Sequence, residues 1–116
     1  MFAAYLGVVI AALVLNAAAA AADLARARFV LANSAELGVG EGWLPLLGTL
    51  KAAGAAGLLI GILWVRPIGI AAGVGLALFF IGALAVHVRA RVLYNLAFPG
   101  FYLALAIGSL VLIATR

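Results

Sequence analysis

Apolar positions run in four long blocks along the chain, over residues 2–22, 44–65, 67–88 and 93–115. Polar positions are confined almost entirely to the breaks between them. Within the blocks there is neither the strict alternation of a half-buried strand nor the one-sided stripe of a surface helix. A bilayer core about 30 Å thick takes roughly 20 apolar helical residues per crossing. The pattern therefore predicts an all-α polytopic membrane protein, a four-transmembrane-helix bundle forming one domain over residues 1–116.

The first block ends in a run of alanines before Asp23. It can be read as a cleaved signal peptide with a small-residue cleavage site. No Lys or Arg precedes Asn16, and the run is long enough to span, which favours a retained helix. Residues 23–43 mix charge, glycine and apolar positions and do not span. Residues 25–37 read as a short interfacial helix with Phe29, Val30 and Leu37 on one side, followed by a Gly-Val-Gly-Glu-Gly-Trp turn. Trp43 suits the headgroup level. Pro45 and Pro67 fall in first helical turns, where proline is tolerated. Pro99 either kinks the fourth helix or marks its start, and one kinked helix over 93–115 is the expectation.

Composition sharpens the picture. The 116 residues are 70% hydrophobic and 9% charged, against about 25% charged in soluble domains. A soluble fold this short has too much surface to hide so apolar a chain. The formal net charge of +4 comes from only seven Lys and Arg. They border hydrophobic blocks, which suits anionic headgroups and argues against a nucleic-acid partner. There is no cysteine, which excludes disulfide, thiol-redox and thiolate-metal chemistry by this chain. Eight charged residues gather at one end of the expected bundle. They are Asp23, Arg26, Arg28, Glu36, Glu41, Lys51, Arg89 and Arg91; Arg66 and Arg116 mark the other end. Four border arginines against two place the polar end in the cytoplasm and both termini outside.

Gly57/Gly61 and Gly69/Gly73 are small-xxx-small pairs. Such pairs serve either internal helix packing or a homodimer face. Lys51 lies about 10 Å below the start of its helix at a rise of ~1.5 Å per residue. It must snorkel, pair or face a polar pocket. Asn16 sits at similar depth. Glu36 and Glu41 are the candidate anionic partners of Lys51, with Asp23 a third. His87, the one histidine, either complements a helix C-terminus or acts in proton transfer. It cannot build a bis-histidine haem site or a three-ligand zinc site, so no metal or covalently held cofactor is expected. Tyr94 and Asn95 follow at the same end. Tyr5 and Tyr102 are expected in the opposite half as packing or interfacial residues. The candidate pocket is thus Asn16, Glu36, Lys51, His87, Arg89, Tyr94 and Asn95. No nucleophile elbow, Walker loop or metal-binding cluster occurs.

The stretch from Ala35 to Arg89 resembles the DoxX-like family of small four-helix membrane proteins. The resemblance lies in Glu36-Leu37-Gly38, in the Leu-Gly-x-x-Lys pattern of Leu47 to Lys51, and in the Gly-Ala-x-x-x-His-x-Arg ending of Gly82 to Arg89. It covers roughly residues 25–112 and draws attention to Glu36, Lys51, His87 and Arg89. It implies a partner-binding or accessory protein of the bacterial plasma membrane, with a membrane-protein partner or a homo-oligomer. A link to a redox or envelope assembly and a quinone-like ligand follow from the same resemblance, since the family name comes from a subunit associated with thiosulfate–quinone oxidoreduction. Two other readings remain open. One is a membrane enzyme acting on a lipid-soluble substrate through His87 and a carboxylate. The other is a small multidrug-type transporter, which needs a membrane-embedded acid in its first helix; here only Asp23, at the helix end, is available.

Overall fold

In the computed structural model, residues 2–94 and 96–115 are described, excepting the side chains of Phe2 and Glu41. The chain forms α1 (Phe2–Leu24), α2 (Arg28–Leu37), α3 (Leu44–Leu63), α4 (Arg66–Arg89) and α5 (Ala97–Thr115), with one 3-10 turn at Glu41–Trp43. No strand occurs among the described residues. Four of the helices are long and apolar enough to cross a membrane. The short amphipathic α2 sits between the first two spans.

The four spans close into a ring in the order α1, α3, α4, α5, with α5 returning to α1. Each helix runs antiparallel to its ring neighbours. Its buried centre is small and tight, with Val9, Ala12, Leu58, Ala106 and Ile113 fully shielded. Large apolar side chains such as Val14, Leu59, Leu78 and Val111 point outward, where lipid is the natural solvent. Trp43 and Trp64 are exposed near opposite ends of the bundle, the positions tryptophan favours at the two interfaces.

Glycine decides how closely α3 and α4 approach. A Cβ on Gly61 would run into the Gly69 backbone, one on Gly54 into Leu76, and one on Gly57 would lie 2.7 Å from the Ala72 Cβ. A Cβ on Gly73 would meet Leu110 at 3.0 Å. The small-xxx-small pairs are therefore consumed inside the bundle, where close backbone approach maximises dispersion contact in lipid.

The fourth span departs from expectation. Residues 92–94 and Leu96 are not helical, and α5 begins at Ala97 with Pro99 in its first turn. Proline has no N–H to donate, and first-turn N–H groups have no intrahelical partner in any case. Pro99 marks a start rather than a kink.

Helix ends at the polar face share one device. The N–H groups of Arg26 and Ala27 reach Asp23 O and Ala22 O; those of Gly38 and Val39 reach Ala35 O and Ser34 O; those of Arg91 and Val92 reach Val88 O and His87 O. These are Schellman closures, whose pivot residue adopts the left-handed conformation. The pivots are Arg26 (φ 53°), Gly38 (φ 73°) and Arg91 (φ 59°). Glycine takes this conformation freely, whereas a residue with a Cβ loses about 1 kcal/mol there.

Candidate functional site

The polar end of the ring does not close. Between the ends of α1, α3, α4 and α5, and beneath α2, lies a cavity of about 1040 Å³. Its volume sits at the upper end of the ~300–1,000 Å³ typical of small-molecule sites. Small residues leave the room: Ala19 and Ala22 on α1, Gly82 and Ala83 on α4. Aromatic residues bound it, namely Phe29, Trp43, Phe79, Phe80, Tyr94, Phe98 and Tyr102. Phe80 packs between Phe79 and Tyr102, with ring centroids 4.9 Å and 5.1 Å away. Val30, Ser34 and Leu37 of α2 complete the cover.

One ion pair lies in the wall. Lys51 Nζ donates to Asp23 Oδ2 at 2.9 Å, and the two side chains are 16% and 7% exposed. Gly48, one turn before Lys51, lets the last turn of α1 come close: a Cβ there would meet the Asp23 Cβ at 3.1 Å. The lysine stem thus rises from a deeper level to reach a carboxylate near the helix end, as snorkelling requires. Its ammonium also lies 5.4 Å from the Phe79 ring centroid, within cation–π range. Asp23, the third of the expected acidic partners, is the one that takes Lys51. Glu36 is engaged elsewhere, and the Glu41 side chain lies outside the described residues.

His87 is buried in the last turns of α4 and borders the cavity. Its Nδ1 lies 2.8 Å from Ala83 O. A carbonyl only accepts, so Nδ1 carries the proton. Nε2 then has no hydrogen-bond partner among the described residues. A neutral ring offers Nε2 as an acceptor, and a protonated ring offers it as a donor.

At the rim, Tyr94 Oη donates to the Glu36 carboxylate, 2.7 Å from each oxygen. This bond ties α2 to the connection between α4 and α5. Ionising the phenol would destroy it, which raises the Tyr94 pKa above its usual 10.0; desolvation and the charge of Glu36 act in the same direction.

Of the residues singled out in the sequence, Glu36, Lys51, His87 and Tyr94 border this cavity. Asn16 and Arg89 are not among its lining residues. Asn16 is fully buried in the bundle, donating Nδ2–H to Ala12 O at 2.9 Å. Its Oδ1 has no partner among the described residues. Arg89 is exposed at the end of α4. Asn95 lies outside the described residues. Tyr102 falls in the cavity wall rather than the opposite half, because α5 starts later and the tyrosine sits only one turn and a half in; its Oη donates to Leu15 O at 3.3 Å. Phe79, Phe80 and Ala83 were legible in principle. Counting back from His87 by four, seven and eight residues, one and two helical turns, reaches all three.

No group of three or more His, Cys, Asp or Glu side chains capable of holding a metal occurs among the described residues. His87 and Glu36 border the same space, but each makes its hydrogen bond elsewhere.

These features define a small integral membrane protein with four spans and a part-polar cavity at one end. The model of the DoxX-like family matches residues 6–109, and the chain belongs to that family. Comparison with curated proteins and with solved structures gives no match.

Proposed function

We propose that the protein binds a small amphiphile from the membrane in the cavity at its polar end. The observation that carries this reading is an aromatic-walled space of about 1040 Å³ bordered by the Lys51–Asp23 pair and by the free Nε2 of His87. The rings give an apolar body a place to lie. The ammonium, the carboxylate and Nε2 give a polar head both donors and acceptors. A quinone-like molecule has that form. Binding fits better than catalysis, because Asp23 and Glu36 are already paired with Lys51 and Tyr94 and no acid–base couple faces His87 among the described residues.

Two finer readings accompany it. The arginine distribution supports a cytoplasmic polar end, in a bacterial plasma membrane. Family membership supports an accessory role beside a membrane partner, within a redox or envelope assembly. Co-purification in mild detergent, with mass spectrometry of the extracted lipids and proteins, tests the accessory role.

The cavity itself is tested by ligand binding and thermal shift in nanodiscs, using isoprenoid quinones and long-chain alcohols. Gly82 borders the space, and a Cβ there meets nothing within 4 Å. Gly82→Leu should therefore fold normally, fill part of the cavity and abolish saturable binding. His87→Phe keeps ring volume, removes Nε2 and should weaken binding about tenfold, the effect of one lost hydrogen bond. Wild-type protein that binds none of these compounds, or binding untouched by Gly82→Leu, would sink the proposal.

A further inference from the structure

Resting on that cavity reading, we infer that the cavity selects an amphiphile whose head donates a hydrogen bond, a hydroxyl on an apolar or aromatic body, and that His87 Nε2 makes the selection. His87 is only 5% exposed, and it borders the cavity. Its Nδ1 lies 2.8 Å from Ala83 O and keeps its proton for that carbonyl. The neutral ring therefore presents Nε2 as a bare lone pair. Nε2 has no hydrogen-bond partner among the described residues. Among those residues, the side-chain atoms both sealed off and without a partner are Asn16 Oδ1 and Ser109 Oγ. Nε2 is not one of them, so it reaches open space, and the cavity is the space that His87 borders.

The surroundings of this lone pair are apolar. Ala83, Phe80 and Phe79 lie four, seven and eight residues before His87, on the same side of α4, and all three border the cavity. None has a side-chain proton to give. The polar groups of the lining make their own bonds: Lys51 donates to Asp23, Tyr94 to Glu36, and Tyr102 to Leu15 O. A ligand whose apolar body lies along the rings brings its head to a site that offers an acceptor. A hydroxyl head donates to Nε2 and keeps its oxygen lone pairs for a donor elsewhere. An ether or carbonyl head only accepts, and sets its own lone pair against that of Nε2. The difference is one hydrogen bond at a mostly buried acceptor, which corresponds to about tenfold in affinity. Among quinone-like molecules the same rule favours the reduced form, whose ring hydroxyls donate, over the oxidised form, whose carbonyls do not.

The test compares a para-alkylphenol, its methyl ether and the parent alkylbenzene, all with the same chain. Binding to the whole chain is measured in nanodiscs, in mildly alkaline buffer that favours the neutral ring. The phenol should bind about tenfold tighter than the ether. His87→Phe keeps a ring in place and should remove that preference while leaving alkylbenzene binding unchanged. A second readout requires no substitution. The chain has one histidine, so nitrogen labelling of the ring gives one Nδ1 and one Nε2 resonance. Nε2 should be the unprotonated nitrogen in the free protein. Its resonance should move toward the protonated position when the phenol binds and stay near its free position with the ether. Equal binding of phenol and ether, a preference that survives His87→Phe, or a proton found on Nε2 instead of Nδ1 overturns the inference while the cavity reading stands. If none of the three compounds binds saturably, the cavity reading itself falls.

Discussion

Near the α3–α4 turn, glycine meets glycine and two helix backbones touch. Toward the other end of the same helices, Gly82 faces open space and a cavity of about 1040 Å³ separates the elements. Both regions depend on small residues, yet with opposite results. At Gly61 and Gly69 the partner helix advances into the space that a side chain would fill. At Ala19, Ala22, Gly82 and Ala83 it does not, and aromatic rings wall the space instead. A small residue therefore signals close packing only where a neighbouring helix, rather than a ring-walled space, lies opposite it.

The largest expected effect breaks the packed half. Gly61→Leu places a side chain against the Gly69 backbone, which has no rotamer with which to yield. Destabilisation of about 3 kcal/mol or more is expected, at the upper end of overpacking effects, measured by denaturant titration in detergent. Gly82→Leu adds the same atoms to the open half and should change stability by less than about 1 kcal/mol, since it exchanges glycine for a good helix former. Equal losses at the two sites would erase the contrast between the regions.

Next comes the ion pair between α1 and α3. Lys51→Ala strands the Asp23 carboxylate at a mostly buried site. Breaking a buried pair costs about 3–5 kcal/mol, and partial access to the cavity should bring this to about 2–3 kcal/mol. Lys51→Met with Asp23→Asn should recover most of the loss, because neither charge is then left alone. A double variant as unstable as the single one would show that the pair's geometry, rather than its charge balance, stabilises the junction of α1 and α3.

Asn16 offers a smaller test in the packed interior. Its Oδ1 is buried without a partner, a situation that costs about 1–3 kcal/mol. Asn16→Leu removes that acceptor at nearly constant volume and should stabilise the protein by about 1 kcal/mol. Destabilisation instead would reveal an interhelical role for the amide.

The smallest effect concerns the cover. Tyr94→Phe removes an exposed hydrogen bond and should leave the global unfolding midpoint nearly unchanged, as loss of a surface interaction does. It should nonetheless speed hydrogen exchange in α2, which is anchored to the bundle by few other contacts. The same link has a pH signature. The Tyr94 pKa is raised in the folded protein, so the stabilisation is complete below the usual phenol value near 10 and disappears as pH rises through the raised value. Exchange in α2 should accelerate over that alkaline window in wild-type protein and stay flat in Tyr94→Phe.

Much of the architecture was legible because lipid imposes a simple rule. Every backbone polar group inside the bilayer must be satisfied within its own segment, so four apolar runs of sufficient length read directly as four helices. The Leu-Gly-x-x-Lys and Gly-Ala-x-x-x-His-x-Arg patterns carried the family as well. Element edges were less clear. Pro99 suits either a kink or a first turn, and only the packing of α5 chose between them. Among the site residues, Glu36, Lys51, His87 and Tyr94 converge on the cavity, whereas Asn16 shares the depth of Lys51 without sharing its face. Depth follows from counting residues along an axis. Facing depends on how each helix is rotated against its neighbours, and in helices apolar on every side the sequence contains no stripe to set that rotation.

The sequence by itself determined the solvent, the number of crossings and the end at which charge collects, since these follow from hydropathy summed over twenty residues at a time. Tertiary structure decided that Asp23 rather than Glu36 answers Lys51, that the glycine pairs are spent where α4 packs against α3 and α5, and that Ala19 and Ala22 of α1 line a cavity instead of a contact. Those outcomes turn on ångström-scale approach and helix rotation, where one Cβ is enough to exclude a neighbour, and no single-residue property encodes them.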